Sequence, residues 1–181
     1  MQYRNEPLKP EDPMKKYQWL FLFLFYLISS FHSLLFAAED WKGTPDERTF
    51  EVGAQIGVAT IDSSAGFGLF GAVSKKIIPG GFIEELNNPV FIELMMGPVF
   101  LSGGTAFAYS AHLKWEFVKN TDWTFYAVGG LGGNVTGESL GKHFELFPRF
   151  GLGSMIHLSD DFFLRSEVSH EWIIIGPSFI F

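Results

Sequence analysis

The sequence contains no cysteine. A disulfide framework, a thiol nucleophile and a lipidated-cysteine anchor are therefore not expected. Charge is scarce as well: Asp, Glu, Lys and Arg make up 18% of the 181 residues, and the formal net charge is −7. That acidic balance argues against a nucleic-acid partner, whose phosphates require a basic face. Helical periodicity is missing beyond Ala38, and no second long apolar run follows it. The five histidines, His32, His112, His143, His157 and His170, are scattered and show no metal-ligand spacing, so neither a metal nor a cofactor is expected. What is plentiful is glycine, at 20 residues, and phenylalanine, at 21. This mix suits strands with an aromatic-rich outer face around a tightly packed, glycine-rich interior.

The one long apolar stretch runs from Trp19 to Ala38, directly after Lys15-Lys16. A basic start followed by an apolar segment and small residues predicts a secretory signal peptide over 14–38, with cleavage after Ala37 or Ala38. A retained membrane helix is the alternative, because about 20 apolar residues can span a bilayer. Residues 1–13 are polar and precede Met14, which supplies the expected basic start with Lys15 and Lys16; they are read as a mis-called extension. Residues 39–48 form a short periplasmic lead-in, and the folded domain occupies 49–181.

Within that domain apolar and small or polar residues alternate with a period of two, interrupted by glycine-rich or polar punctuation. Eight strands are predicted, over 49–60, 65–75, 89–101, 106–118, 122–133, 143–157, 161–170 and 172–181. Each has about ten residues or more, the length at which a tilted strand crosses a bilayer. In the first, Phe50, Val52, Ala54, Ile56 and Val58 oppose Glu51, Gly53, Gln55 and Gly57. The fourth sets Phe107, Tyr109, Ala111, Leu113, Trp115 and Phe117 against Ala108, Ser110, His112, Lys114 and Glu116. Trp41, Trp115, Trp123, Tyr126 and Trp172 fall near strand ends, the level of an interfacial aromatic girdle.

The last strand places Ile173, Ile175, Phe179 and Phe181 on one face and Gly176 and Ser178 on the other. In a soluble protein such a strand is a sticky edge; in a closed barrel it pairs with the first strand and the edge vanishes. An alternating strand ending on phenylalanine resembles the insertion signal of bacterial outer-membrane β-barrels, with Phe179 and Phe181 as its side chains. Residues 49–181 as a whole resemble the OmpA/OmpX-like family of small eight-stranded outer-membrane barrels. The stretch Gly151 to Glu167 is similar to a hairpin common near the end of such barrels. The resemblance implies an all-β, eight-stranded antiparallel up-and-down transmembrane barrel in the outer membrane of a Gram-negative bacterium. It further implies export through the Sec pathway, insertion by the barrel-assembly machinery, lipopolysaccharide and lipid as surroundings, and a monomer. One departure stands out. With both termini in the periplasm, the outward connections at 61–64, 102–105 and 169–172 are short, and the longest, 76–88, falls on the periplasmic side.

Alternation gathers Glu51, Glu93, His112, Lys114, Glu116, Glu145, Arg149, Arg165 and Glu167 on the inward face. Lys or Arg turned to lipid at mid-membrane would cost roughly 2–4 kcal/mol each. Inside a filled barrel such charges must pair. Two functions fit: a static salt-bridge plug that sets strand register, or a gate on a narrow ion or solute path. A third expectation comes from resemblance. Barrels of this size include lipid A deacylases, whose His-x-Ser pair and downstream Glu form a hydrolytic triad. This chain is similar in His157-Leu-Ser159 and Glu171, residue types that suit an ester hydrolase. Their predicted positions, at opposite ends of a strand, and Asp160 in place of the family's asparagine do not suit it. Ser169-His170-Glu171 is a second such cluster. The sequence is therefore read as a non-enzymatic barrel with a structural or interaction role, with the deacylase and the narrow pore as alternatives.

Overall fold

A computed structural model describes residues 47–119, 122–137, 140–141 and 143–181. The predicted extension, signal peptide and Trp41 lie outside the described residues. Eight antiparallel strands close into a barrel in chain order: β1 (Phe50–Ile61), β2 (Ser64–Ile78), β3 (Val90–Leu101), β4 (Gly104–Val118), β5 (Trp123–Thr136), β6 (His143–Ser159), β7 (Phe162–Ser169) and β8 (Trp172–Ile180). Closure is made by β1 on β8, from Glu51↔Ile180 to Ala59↔Trp172. Phe50 and Phe181 complete it by exchanging backbone hydrogen bonds of 3.2 and 2.9 Å. Every strand thus has two neighbours and no edge is left open. Among the described residues no helix is long and apolar enough to cross a membrane.

Both ends of the described barrel chain, at Phe50 and Ile180, lie at one rim, called here the terminal end; the opposite rim is the far end. At the far end β1 turns into β2 through Asp62 and Ser63, both at positive φ (48° and 63°). This is the type I′ geometry whose twist matches a hairpin. The far-end links at 102–103 and 170–171 are equally tight. The longest connection, residues 79–89, is at the terminal end, where the alternation also placed it. Asn88 organises it: its buried Oδ1 accepts from Phe82 N (2.8 Å), Ile83 N (3.2 Å) and Trp115 Nε1 (3.0 Å). Its Nδ2 donates to Ile83 O (2.5 Å) and Leu86 O (2.7 Å). Gly81, at φ +68°, is held against the Asn88 side chain where a Cβ would collide with it.

Several strands outrun their predicted limits: β4 begins two residues early, at Gly104, and β5 ends three residues late, at Thr136. β2 continues to Ile78 because Lys76 and Ile78 still pair with Phe91 and Val90 across a bulge. β6 continues to Ser159, paired with Phe162, so His157 and Ser159 belong to the strand and the turn is only Asp160-Asp161.

The wall is inverted relative to a soluble protein. Outside, large apolar side chains stand exposed all round, including Ile56, Leu69, Leu94, Leu113, Leu131 (60%), Phe150 (64%) and Ile175. Inside, alternation buries the other face. The far half of the lumen is filled by Ala59, Ile61, Phe70, Met95, Val99, Ala106, Trp172 and Ile174. Phe70 and Trp172 stack there with ring centroids 4.7 Å apart. Tyr126 and Trp172 are each 2% exposed and so do not belong to an outer girdle. Their parity decides it: Tyr126 shares the inward face with Thr124 and Val128, Trp172 with Ile174 and Gly176. Trp115 and Trp123 do point outward, near the terminal end.

Candidate functional site

Where the terminal half of the lumen begins, the inward positions change from apolar to charged. Glu51 is the first inward residue of β1; Glu93 follows Phe91 in β3; His112, Lys114 and Glu116 succeed one another on β4. Arg165 and Glu167 face them from β7, and Arg149 from β6. All eight are essentially buried, with Glu93, Lys114, Glu116 and Arg149 fully so. Space for them is made by glycine. A Cβ on Gly130 would come 2.5 Å from Ala111 O and His112 Cα, so only a bare backbone lets β5 pass His112.

The charges form one alternating chain. Arg48 contacts Glu51 (2.9 Å) and Glu116 (2.5 Å). Lys114 lies between Glu116 (2.8 Å) and Glu51, with Glu93 at 3.9 Å. Glu93 is the hub. Both its oxygens take the Arg165 guanidinium, at 2.6 and 2.7 Å. It also bonds His112 Nε2 (2.9 Å) and accepts from Ser74 (2.5 Å). Arg165 continues to Glu167 (2.6 Å) and, through Nε, donates to the Tyr126 hydroxyl (2.8 Å). Glu167 holds Arg149, and Arg149 looks toward Glu171 at 3.9 Å. The sequence of groups therefore runs from Arg48 at the terminal rim to Glu171 in the far turn, with sign alternating at nearly every step.

Two kinds of support make this arrangement tolerable in a dry interior. Arg165 on Glu93 is bidentate, the geometry in which a guanidinium and a carboxylate satisfy each other best. Aromatic faces line the same cations on their remaining sides. The Arg149 guanidinium lies 3.9 Å from the Trp172 ring centroid, Lys114 4.7 Å from Phe91, and Arg165 4.9 Å from Tyr126. The far end of the chain is looser. Arg149 Nε and Nη1 and both Glu171 oxygens have no hydrogen-bond partner among the described residues.

Glu145 stands apart from the chain. It is half-buried near the far end and accepts a 3.0 Å bond from Asn134. Arg48 was not among the expected lumen residues, because it lies before the alternation starts, in the segment read as a lead-in. Its one sequence signal is position: three residues before Glu51, it is a cation beside the first inward carboxylate.

The deacylase-like residues are not brought together. His157 stacks on Phe163 (5.5 Å) near the terminal end, and Ser159 ends β6 there. Glu171 lies in the far turn, beyond the eight residues of β7, about 25 Å of extended strand at roughly 3.3 Å per residue. In the second cluster His170 Nε2 approaches Glu171 at 3.1 Å. The Ser169 hydroxyl, however, donates to Trp172 O and accepts from Trp172 N within the turn. It is tied to backbone and not aligned on His170 as a nucleophile would be. Phe179 and Phe181 both project outward, Phe181 at 71% exposure, at the seam where β8 meets β1.

No protein-family model matches the chain, and no curated protein matches it in sequence. Among solved structures it is similar to crystal structures of Ail, the attachment invasion locus protein of Yersinia pestis, one of them in complex with the heparin analogue sucrose octasulfate. Each is 11% identical with a TM-score of 0.48, over 74% of this chain and 97% of that one. It is also similar to the backbone structure of the Yersinia pestis outer membrane protein Ail in a phospholipid bilayer nanodisc, at 14% identity and a TM-score of 0.46, over 75% of this chain and all of that one.

Proposed function

We propose that this chain is an integral outer-membrane β-barrel whose lumen is plugged by paired charge and which serves a structural or interaction role in the envelope without catalysis. The inverted distribution of polarity carries the proposal. An apolar exterior that circles a closed barrel needs a hydrophobic solvent, since monomers in water rarely expose contiguous apolar patches beyond a few hundred Å². Lipid supplies that solvent, and a closed barrel leaves no backbone group unpaired within it.

The interior supports a plug. Each buried carboxylate of the Arg48–Glu167 chain meets a cation, and the apolar far half stacks Phe70 and Trp172 above it. Eight-stranded barrels are filled by their own side chains. The charge chain then acts as a register lock, because sliding one strand by a residue would turn its ionic members toward lipid. Phe179 and Phe181, exposed at the closing seam, are the side chains on which the barrel-assembly machinery would read the last strand. Lipopolysaccharide and phospholipid are its surroundings, reached after Sec-dependent export.

Envelope fractionation tests the location: the protein should travel with the outer membrane on a density gradient and resist extraction by carbonate. A soluble periplasmic distribution would overturn it. Single-channel recording in planar bilayers tests the plug. Silence is expected from the wild type, and steady unitary conductance would move the reading to a narrow pore.

A further inference from the structure

At the far mouth three donor side chains converge that the charged chain leaves unused. Asp62 sits in the β1–β2 turn, and His143 and Glu145 open β6. One carboxylate oxygen of Asp62, one imidazole nitrogen of His143 and one carboxylate oxygen of Glu145 all lie within 4.8 Å of one another. In the strand order β6 is three strands from β1 and four from β2, on the opposite wall. The turn therefore leans over the opening to bring Asp62 to β6. Among the described residues neither the Asp62 carboxylate nor the His143 ring makes a hydrogen bond or ion pair. Two carboxylates held this close repel unless a cation or a proton lies between them.

A separate observation points to a ligand. Asn134 faces Glu145 directly across the β5–β6 ladder and is 2% exposed. Its Nδ2 donates to Glu145 Oε2 at 3.0 Å, which anchors the carboxamide on the cluster. Its Oδ1 is buried and has no hydrogen-bond partner. A buried amide oxygen without a donor is the group a cation satisfies. His143 is held at the head of β6: Thr136 Oγ1 donates to Gly141 O (2.9 Å) and accepts from His143 N (3.1 Å). Gly141 turns there at φ +75°.

We propose that Asp62, His143, Glu145 and Asn134 Oδ1 form a site for a divalent transition ion of the zinc type, which clamps the β1–β2 turn to β6 across the far mouth. One imidazole nitrogen with two carboxylates and an amide oxygen suits zinc or manganese; calcium and magnesium take oxygen alone. Zinc is the tighter of the two by the usual order of divalent affinities. Spacing along the sequence hides the site, because Asp62 and His143 belong to opposite walls and meet only through closure.

The test uses the full chain, without a histidine tag, folded in detergent micelles, stripped with chelator and titrated calorimetrically with zinc chloride. One ion per barrel is expected, manganese weaker and magnesium undetected. His143→Ala, Asp62→Asn and the isosteric Glu145→Gln should each weaken zinc roughly tenfold or more, the loss seen even when only supporting residues of a metal site are removed. The mobility of the unboiled band on a gel reports that each variant is folded. Zinc should also raise the temperature at which that band is lost in the wild type and not in His143→Ala. Absence of saturable zinc uptake by the folded wild type, or uptake indifferent to all three substitutions, overturns the site. Uptake without the thermal shift overturns the clamp.

Discussion

The two halves of the lumen solve one packing problem by different means. The far half is filled by apolar side chains that need only fit: Phe70 on Trp172, with Met95 and Val99 packed around them. The terminal half holds ions that must be paired, beside a smaller apolar cluster of Tyr126, Val128, Met155 and Phe163, and Glu93 alone serves Arg165, His112 and Ser74. Removal of an atom from the first leaves a hole of that size. Removal of a partner from the second leaves a charge without water or counter-ion, and its neighbours lose their partner as well. The apolar half should therefore fail in proportion to the volume lost, the polar half abruptly. Arg149 joins the halves, its guanidinium on the Trp172 ring and its Nη2 on Glu167.

The largest effect is expected at the hub. Glu93→Ala should destabilise the folded barrel by about 3–5 kcal/mol, the cost of stranding a buried charge, measured by urea unfolding in micelles. The double substitution Glu93→Leu with Arg165→Met should recover most of that loss, since an apolar replacement of a buried pair is often neutral or better. Failure of the double variant to recover would mean that the chain does more than fill space. In the other half, Trp172→Ala should cost about 3–5 kcal/mol and Met95→Leu under ~1.5 kcal/mol. An abrupt loss at the milder Met95 change would erase the contrast between the halves.

The outside of the wall provides the next effect. Ile175→Arg, at an exposed position of the closing strand, should cost roughly 2–4 kcal/mol if it meets the lipid midplane, read as the same unfolding midpoint in bilayers. A surface bathed in water would tolerate the change within about 0.5 kcal/mol. The smallest effect is expected from Ser159→Ala. Mass spectrometry of lipid A from cells carrying the wild type and the variant should give identical acylation patterns. A pattern that changes with the wild-type protein and reverts in the variant would revive the hydrolase.

Alternation made the wall legible in the sequence, because a period of two requires no knowledge of neighbours. It sorted Glu51 from Phe50 and Lys114 from Leu113 and set the turns at Asp62-Ser63 and Gly103. It also held the answer for Trp172, since Ile173 and Ile175 outside force Trp172 inside; strand-end position was the misleading cue there. Partnerships were not legible. Glu93 meets Arg165 from β3 to β7, and Arg48 meets Glu116 from the lead-in to β4. Such contacts depend on the stagger with which eight strands close, a property of the whole sheet. The same holds for Asp62 and His143 at the mouth. Asn88 was hidden for another reason: apart from the bond from Trp115 on β4, its partners lie within a connection that has no period at all.

Gel mobility of the protein from purified outer membranes, with and without boiling, bears on all of this at once. A closed barrel held in lipid should resist detergent at room temperature and run as a faster, compact band that shifts to the full-length position on heating. A single unshifted band, together with absence from the outer-membrane fraction, would mean that the apolar exterior is covered by something other than lipid.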